Sequence, residues 1–370
     1  MIGLQQVSSR ILFTSCLMLT FVLSNFTALA AGGGESKEFN PSETIMHHIA
    51  DSHEWHFATI GHTHITIPLP VILYSSRGVD VFLSSELHHA AQVEHTNKEG
   101  KKEKFHKIVK GNNTYLADHH GHFHLESGEK LYDLSITKNV ASLLLSATLM
   151  LIFFFSVAAG YKKNRGKAPR GIQSFFEPLI VFVRDDIAKV NIGDKYYQKF
   201  VPYLLTLFFF ILINNLLGLL PGGANLTGNI AVTLTLAVLT FLITIFSAKK
   251  TYWMHIIAPP VPPALLVLMI PIEIIGIFTK PFSLMIRLFA NITAGHIIIL
   301  SLFSLIFVFQ SLLVSPVVVA FAVFMNVLEL LVAFLQAYVF TLLTAMYIGG
   351  AVEEHDHHDE HHAHGDAAHH

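Results

Sequence analysis

The chain has very little of what stabilises many small exported or soluble proteins. Because Cys16 is its only cysteine, the chain cannot form an intramolecular disulfide. Asp, Glu, Lys and Arg make up 14% of the 370 residues, and 52% of the residues are hydrophobic. Soluble domains are about 25% charged, so this composition predicts a membrane protein. The net charge of -2, with no basic cluster among aromatic residues, gives no indication of nucleic-acid binding.

The sequence also lacks the local motifs of common soluble enzymes. Neither G-x-x-x-x-G-K-[ST] nor G-x-S-x-G occurs, so nucleotide binding and serine hydrolysis have no signature here. No cofactor is predicted. The chemistry of this chain is therefore expected to lie in the few polar residues within its apolar segments.

The first part of the chain has the pattern of an exported segment. Residues 1–30 combine Arg10, an apolar run and Ala28-Leu29-Ala30, which predicts a secretory signal peptide. An uncleaved membrane anchor is the alternative interpretation. Residues 31–138 are polar, contain 14 histidines and carry alternating apolar positions. They predict a small exported region that contains β-strands.

The rest of the chain predicts an all-α polytopic membrane domain over 139–352, with about five spanning helices and further amphipathic or tilted helices. A basic cluster at 162–170 indicates the cytoplasmic side, which agrees with the signal peptide. We therefore predict a bacterial inner-membrane protein with a periplasmic N-terminal region and a His- and acid-rich cytoplasmic tail at 353–370. The helices are predicted near 139–161, 172–190 (amphipathic), 199–220, 229–248, 264–278, 283–310 and 312–350.

Arg287 stands inside a long apolar stretch. From Leu288 to Val352 the only charged residue is Glu329. Arginine stays protonated, and an arginine at mid-membrane depth costs at least about 2.5 to 3.5 kcal/mol on insertion scales. Arg287 is therefore a candidate functional residue that needs an anion.

Helical spacing separates the other polar residues into faces. Asn291 is four residues from Arg287 and shares its face, whereas His296 lies about 180° around the helix. Glu329 and Gln336 share a stripe on the last helix with Asn326. His296 and Glu329 can therefore pair within the chain, while Arg287 is expected to meet an anion outside it. Both members of that pair can titrate, so both could relay a proton, although a lone histidine is more often a packing residue.

The segment around Arg287 resembles the core motif of subunit a of the F-type ATP synthase. The residues are Lys280-Pro-Phe-Ser-Leu-Met-Ile-Arg-Leu-Phe-Ala-Asn-Ile-Thr-Ala-Gly-His296, against the pattern K-P-[VI]-S-L-x-x-R-L-x-x-N-x-x-[AS]-G. Asn214-Asn-Leu-Leu-Gly-Leu-Leu-Pro221, Pro271-Ile-Glu273 and Leu335-Gln-Ala-Tyr-Val-Phe340 resemble further family segments in the same order. Gly218 and Asn229 depart from the pattern, since many relatives carry acids there.

The resemblance implies a non-catalytic subunit that translocates protons in a rotary complex. Its partners would be a ring of c subunits, the b subunits of the peripheral stalk, other ATP synthase subunits and membrane lipid. Arg287 would be the essential charge that faces a ring carboxylate. The candidate proton-path residues are His296, Glu329, Asn291, Gln336, Glu273 and Asn215.

Two other functions fit the sequence less well. A transition-metal transporter is suggested by the His-rich ends, but it needs converging midplane ligands, and Arg287 would repel a cation. An intramembrane hydrolase lacks a Ser/His or paired-Asp constellation.

The histidines of the exported region leave three interpretations open. His119, His120, His122 and His124 have a spacing that suits zinc or copper without specifying either metal. Proton collection at a channel mouth is another functional interpretation. A solvated region of biased composition is the simpler explanation, and it applies equally to the tail.

Overall fold

The computed structural model describes residues 51–60, 63–96, 102–111, 113–118, 121–163, 168–220, 223–259, 261–309 and 314–353. The predicted signal peptide lies outside these residues, as do His119, His120 and all of the predicted tail except Glu353.

The N-terminal part is a β-structure with three antiparallel sheets. The strands are β1 Glu54–Ile60, β2 Thr63–Pro68, β3 Pro70–Ser75, β4 Gly78–Leu83, β5 Ala91–Thr96, β6 Lys102–Lys110, β7 Asn113–Ala117, β8 Phe123–Leu125 and β9 Tyr132–Asp133. β1 pairs with β2, the second sheet has the order β4-β3-β9, and the third has the order β5-β6-β7-β8. A 3-10 helix, Ser84–His89, follows β4.

The second and third sheets share one apolar core. Val71 and Leu73 of β3, Phe82 of β4 and Tyr115 of β7 are buried together in it. A partly buried polar contact also joins the two sheets, because Asp80 Oδ2 accepts hydrogen bonds from the Tyr115 hydroxyl at 2.5 Å and from Asn113 Nδ2 at 2.7 Å.

The Tyr115–Asp80 contact has a pH dependence with a defined sign. Burial, together with the hydrogen bond to Asp80, raises the pKa of Tyr115 from 10.0 to about 12. Because the folded-state pKa is the higher one, the stabilisation is complete below pH 10 and is lost as the pH rises through about 12.

The C-terminal part is helical. Its helices are α1 Lys138–Lys163, α2 Ile172–Val181, α3 Val190–Ile192, α4 Tyr197–Gly218, α5 Ile230–Ser247, α6 Lys250–Ile257, α7 Pro263–Phe309 and α8 Val314–Val352. A π-helical segment, Phe182–Lys189, joins α2 to α3, and a 3-10 turn, Leu226–Gly228, precedes α5. The predicted amphipathic segment is thus helical from Ile172 to Ile192.

Five of the described helices are long and apolar enough to cross a membrane, namely α1, α4, α5, α7 and α8. The prediction of a polytopic helical membrane protein is confirmed at this level. α8 packs against α4 and α7, and α5 packs against α7. The core between them holds fully buried apolar side chains such as Phe208, Leu288 and Phe340.

The predicted break between helices 264–278 and 283–310 is absent, so this expectation was wrong. α7 continues through Pro271 and Pro281 for 47 residues. A proline removes one helical hydrogen bond and crowds the preceding turn. Membrane helices tolerate this because neighbouring groups and small local adjustments satisfy the freed carbonyl.

The junction between the two parts of the chain is capped by residues 51 and 52. The amide of Lys138 donates to the Ser52 carbonyl at 2.8 Å, and the amide of Asn139 donates to Asp51 Oδ1 at 3.1 Å. These bonds satisfy amides that the first turn of α1 leaves without a helical partner. The β-structure is therefore attached directly to the first membrane helix.

Candidate functional site

The predicted site residues lie mostly on α7 and α8, the two longest helices. Arg287 is partly buried on α7 and lies close enough to Tyr347 of α8 for an electrostatic interaction. Lys280 lies seven residues before Arg287 on the same face of α7. Its Nζ lies 5.6 Å from the centre of the Tyr347 ring. Within the described part of the chain, no acidic side chain forms an ion pair with Arg287. The positive charge of Arg287 is thus left without an internal counter-ion there.

Asn291 and Gln336 form a polar bridge between the two helices. Asn291 Nδ2 donates to Gln336 Oε1 at 2.9 Å. Gln336 is buried, and its Nε2 has no hydrogen-bond partner among the described residues. Asn291 lies one turn from Arg287 on the same face. The bridge therefore sets the separation of α7 and α8 beside the arginine and leaves a donor available.

His296 and Glu329 approach each other on another face of α7. His296 Nε2 lies 3.8 Å from Glu329 Oε1, and only 6% of the Glu329 side chain is exposed, against 19% for His296. The distance is too long for a direct hydrogen bond. Glu329 Oε1 is buried without a hydrogen-bond partner in the described structure. Because an unsatisfied buried carboxylate is costly, this pair is suited to exchange a proton.

Two glycines provide the space around the His296–Glu329 pair. A Cβ atom on Gly295 would lie 2.9 Å from Glu329 Oε1 and 3.3 Å from its carboxyl carbon. A Cβ atom on Gly218 of α4 would lie 3.7 Å from His296 Nε2. Glycine in a helix costs about 0.5 to 1 kcal/mol relative to alanine, so Gly295 is placed where close packing needs it.

Helical geometry separates the Arg287 group from the His296–Glu329 pair. Nine residues of α7 correspond to roughly 14 Å along the axis and about half a turn around it. The polar side chains of this region thus form two groups on different sides of one helix.

Asn215 and Glu273 are placed differently from the other candidates. Asn215 of α4 donates to the Ala333 carbonyl of α8 at 3.2 Å and accepts from Thr227 at 2.8 Å. These two bonds connect α4, α8 and the 3-10 turn. Glu273 is partly buried and interacts electrostatically with Tyr252, about 21 Å along α7 from Arg287. Neither residue forms a hydrogen bond or an ion pair with another candidate in the described part of the chain.

The weak metal candidates do not form a cluster in the described residues. His122 and His124 are exposed on either side of the buried Phe123. No group of three or more His, Cys, Asp or Glu side chains comes together in the parts of the chain that the structure describes.

Sequence reasoning missed Gly295 and Tyr347. Gly295 had a weak signal, because a glycine inside a helix usually has a packing reason. Tyr347 had none, since its position between Lys280 and Arg287 depends on how α8 crosses α7.

Both the helical part and the β-structure of the chain match known protein families. Residues 140–349 match the family of the ATP synthase A chain, and residues 44–134 match a domain of unknown function. ATP synthase subunit a of Chloroherpeton thalassium is 50% identical over 238 residues, which are 63% of this chain and 71% of the relative. ATP synthase subunit a 2 of Chlorobaculum tepidum is 51% identical over 266 residues, 70% of this chain and 75% of the relative.

Proposed function

This chain belongs to the ATP synthase A chain family, and from that premise we propose that it is the proton-conducting subunit a of a rotary F-type ATP synthase. It translocates protons and does not itself make or hydrolyse ATP. The single observation that carries the proposal is the position of Arg287. This intramembrane cation has no acidic partner among the described residues, whereas Glu329 is directed at His296.

The anion that Arg287 meets is a membrane-embedded carboxylate on a ring of c subunits. A fixed positive charge favours the ionised form of a nearby carboxylate. Each ring carboxylate therefore gives up its proton as it approaches Arg287 and takes up another after it has passed. Movement of one charge through the membrane potential releases about 2.3 kcal/mol per 100 mV, which ring rotation transmits to the catalytic head.

The protons reach the ring through two half-channels that open on opposite sides of the membrane. His296 and Glu329 relay protons in one of them, since both can titrate and their side chains nearly touch. The Asn291–Gln336 bridge holds α7 against α8 beside Arg287. Arg287 blocks direct proton flow between the two paths because its fixed positive charge repels a proton.

The orientation in the membrane follows from the positive-inside rule. The basic residues after α1 lie on the cytoplasmic side of a bacterial inner membrane. The β-structure is then periplasmic and the C-terminus cytoplasmic. Peripheral-stalk b subunits and the other ATP synthase subunits complete the assembly.

Purification of the intact complex tests the proposed function. A complex isolated through an affinity tag on this chain should contain a ring subunit with an intramembrane carboxylate, and it should acidify vesicles when ATP is added. The measurement is quenching of a pH-sensitive dye in reconstituted vesicles, with an uncoupler as control. A pure, stable preparation that holds no such ring subunit would overturn the proposal.

Gly295→Ala tests the role of the His296–Glu329 pair. The new methyl group would stand 2.9 Å from Glu329 Oε1, so the carboxylate must move. Displacement of the Glu329 side chain from its preferred rotamer costs about 1 to 1.5 kcal/mol. If the relay step bears this cost, ATP-driven proton transport falls roughly five- to tenfold. Gly276→Ala is the matched control, because nothing lies within 4 Å of a Cβ at that position on the same helix. Equal rates for the two variants would contradict the proton-relay role of Glu329.

A further inference from the structure

The outer face of the β4-β3-β9 sheet is apolar, although it is not covered by any described part of the chain. Antiparallel pairing places Tyr74 opposite both Val79 and Tyr132, and Ile72 opposite Val81. Tyr74, Val79, Val81 and Tyr132 are exposed, with values of 62% for Val81 and 59% for Tyr132, and Ile72 is half-buried. We call this surface the outer face. Its members are Pro70, Ile72, Tyr74, Val79, Val81, Leu83, Tyr132, Leu134 and Ile136.

The outward-facing side chains of this sheet are apolar, which is unusual for a sheet with only one buried face. A sheet with one face in water normally carries polar side chains on that face. On these strands the acidic Asp80 and the buried Ser75 point inward, and none of the nine outer-face residues is charged. The register is unambiguous, because Val71 and Leu73 between the outer-face positions are fully buried. Among the described residues, the outer face is therefore an exposed apolar surface, and such surfaces often mark sites of interaction.

The outer face continues into the first membrane helix. The amide of Leu134 donates to the Ile72 carbonyl at 2.9 Å, and the amide of Ile136 donates to the Pro70 carbonyl at 3.1 Å. This strand-like segment reaches α1 at Lys138, so Leu134 lies at most about 14 Å from the helix start. α1 itself exposes apolar side chains such as Val140 and Leu144.

We propose that the outer face lies on the lipid bilayer, where it anchors the β-structure to the leaflet that α1 enters. Continuity with α1 brings this surface to the membrane boundary. Tyr74 and Tyr132 lie with ring centres 6.2 Å apart, and tyrosines are enriched at the level of lipid headgroups. Lipid chains accept an apolar surface of any shape, so the continuity with α1 favours the bilayer as the occupant of this surface. The proposal requires only that α1 crosses the membrane, and it does not depend on how protons are conducted.

The third sheet, on the other side of the core, provides a matched comparison. Val109 of β6 is 65% exposed, close to the value for Val81, but it lies between Lys107 and Lys110. β6 belongs to the sheet that packs against the second sheet from the opposite side. If the outer face lies on lipid, Val109 lies in water.

A fluorescence-quenching experiment on the intact complex tests this proposal. Cys16→Ser supplies a background in which this chain has no cysteine. Val81→Cys, Leu134→Cys and, as the control, Val109→Cys are each labelled with an environment-sensitive fluorophore and reconstituted into phosphatidylcholine bilayer discs. Discs expose both sides of the bilayer to iodide, so the orientation of the complex does not affect the comparison. We expect nitroxide-labelled lipid to quench the probes at 81 and 134 several-fold more strongly than the probe at 109, and iodide to show the opposite order.

Two results would overturn the proposal. Equal iodide quenching at 81 and 109 would show that the outer face lies in water. Protection of the probes at 81 and 134 from both quenchers would show that a protein covers it. The use of two positions keeps the test valid if one labelled variant fails to fold.

Discussion

Replacement of Arg287 by alanine is expected to abolish ATP-driven proton transport, while ATP hydrolysis by the soluble head continues. In the proposed mechanism the positive charge favours ionisation of the ring carboxylate and separates the two half-channels, so the alanine variant loses both effects. Assembly should not suffer, because removal of an intramembrane arginine relieves a cost of about 2.5 to 3.5 kcal/mol. Dye quenching and phosphate release, measured on the same vesicles, report the two activities.

Arg184→Ala is the matched control for Arg287→Ala. Arg184 is an exposed arginine that pairs with the neighbouring Asp185, at 2.7 Å between Nε and Oδ1. Surface pairs of this kind contribute little, so transport by this variant should stay close to that of the unaltered complex. Persistent coupled pumping by Arg287→Ala would contradict the role assigned to the arginine.

Arg287→Lys should also abolish ATP-driven proton transport. This variant keeps a positive charge at position 287 but lacks the guanidinium group, so it tests whether charge alone is enough. Lysine can lose its proton in an apolar environment, and its single ammonium group cannot present two parallel donors to a carboxylate. A lysine variant that pumps at the normal rate would show that charge alone suffices.

The second large effect concerns His296 and Glu329. Each single exchange, His296→Glu or Glu329→His, places two like groups 3.8 Å apart and should reduce ATP-driven transport at least about tenfold. The double exchange restores one acid and one base to the same two positions and should recover much of the loss. Contacting residues typically show coupling energies of about 0.5 to 3 kcal/mol in such a cycle.

Asn326 supplies the reference cycle for this exchange. It lies one turn before Glu329 on α8 and donates to the Ala322 carbonyl of its own helix at 3.0 Å. Asn326→Ala combined with His296→Glu should therefore give additive losses. Additive losses in the His296–Glu329 cycle as well would argue that the two side chains do not act together.

Some placements could be predicted from the sequence because they depend on local periodicity. The faces of a helix follow from a rotation of 100° per residue, so Arg287 and Asn291 could be assigned to one side and His296 to another. The helix faces also led to the prediction that His296 and Glu329 can pair, and His296 Nε2 lies 3.8 Å from Glu329 Oε1 in the structure. The roles of these residues in proton transport remain predictions.

Other features could not be predicted because they depend on distant segments. α7 continues through Pro281, whereas local propensity indicates a break there. The two bonds of Asn215 reach Ala333 and Thr227, which the sequence does not place beside it. The same residue had been a candidate for the proton path, yet its hydrogen bonds join three helical elements.

The sequence by itself determined the membrane character of this protein, the presence of a charged residue, Arg287, within an apolar segment, and the family to which the chain belongs. These depend on composition, on 3.6-residue periodicity and on an ordered motif, all of which are local properties. Only the tertiary structure decided that Gly295 makes room for Glu329, that Tyr347 lies near both Lys280 and Arg287, and that one sheet exposes an apolar face. Each of these depends on how separate helices cross or how strands pair, and side chains far apart in the chain meet only after that packing is complete.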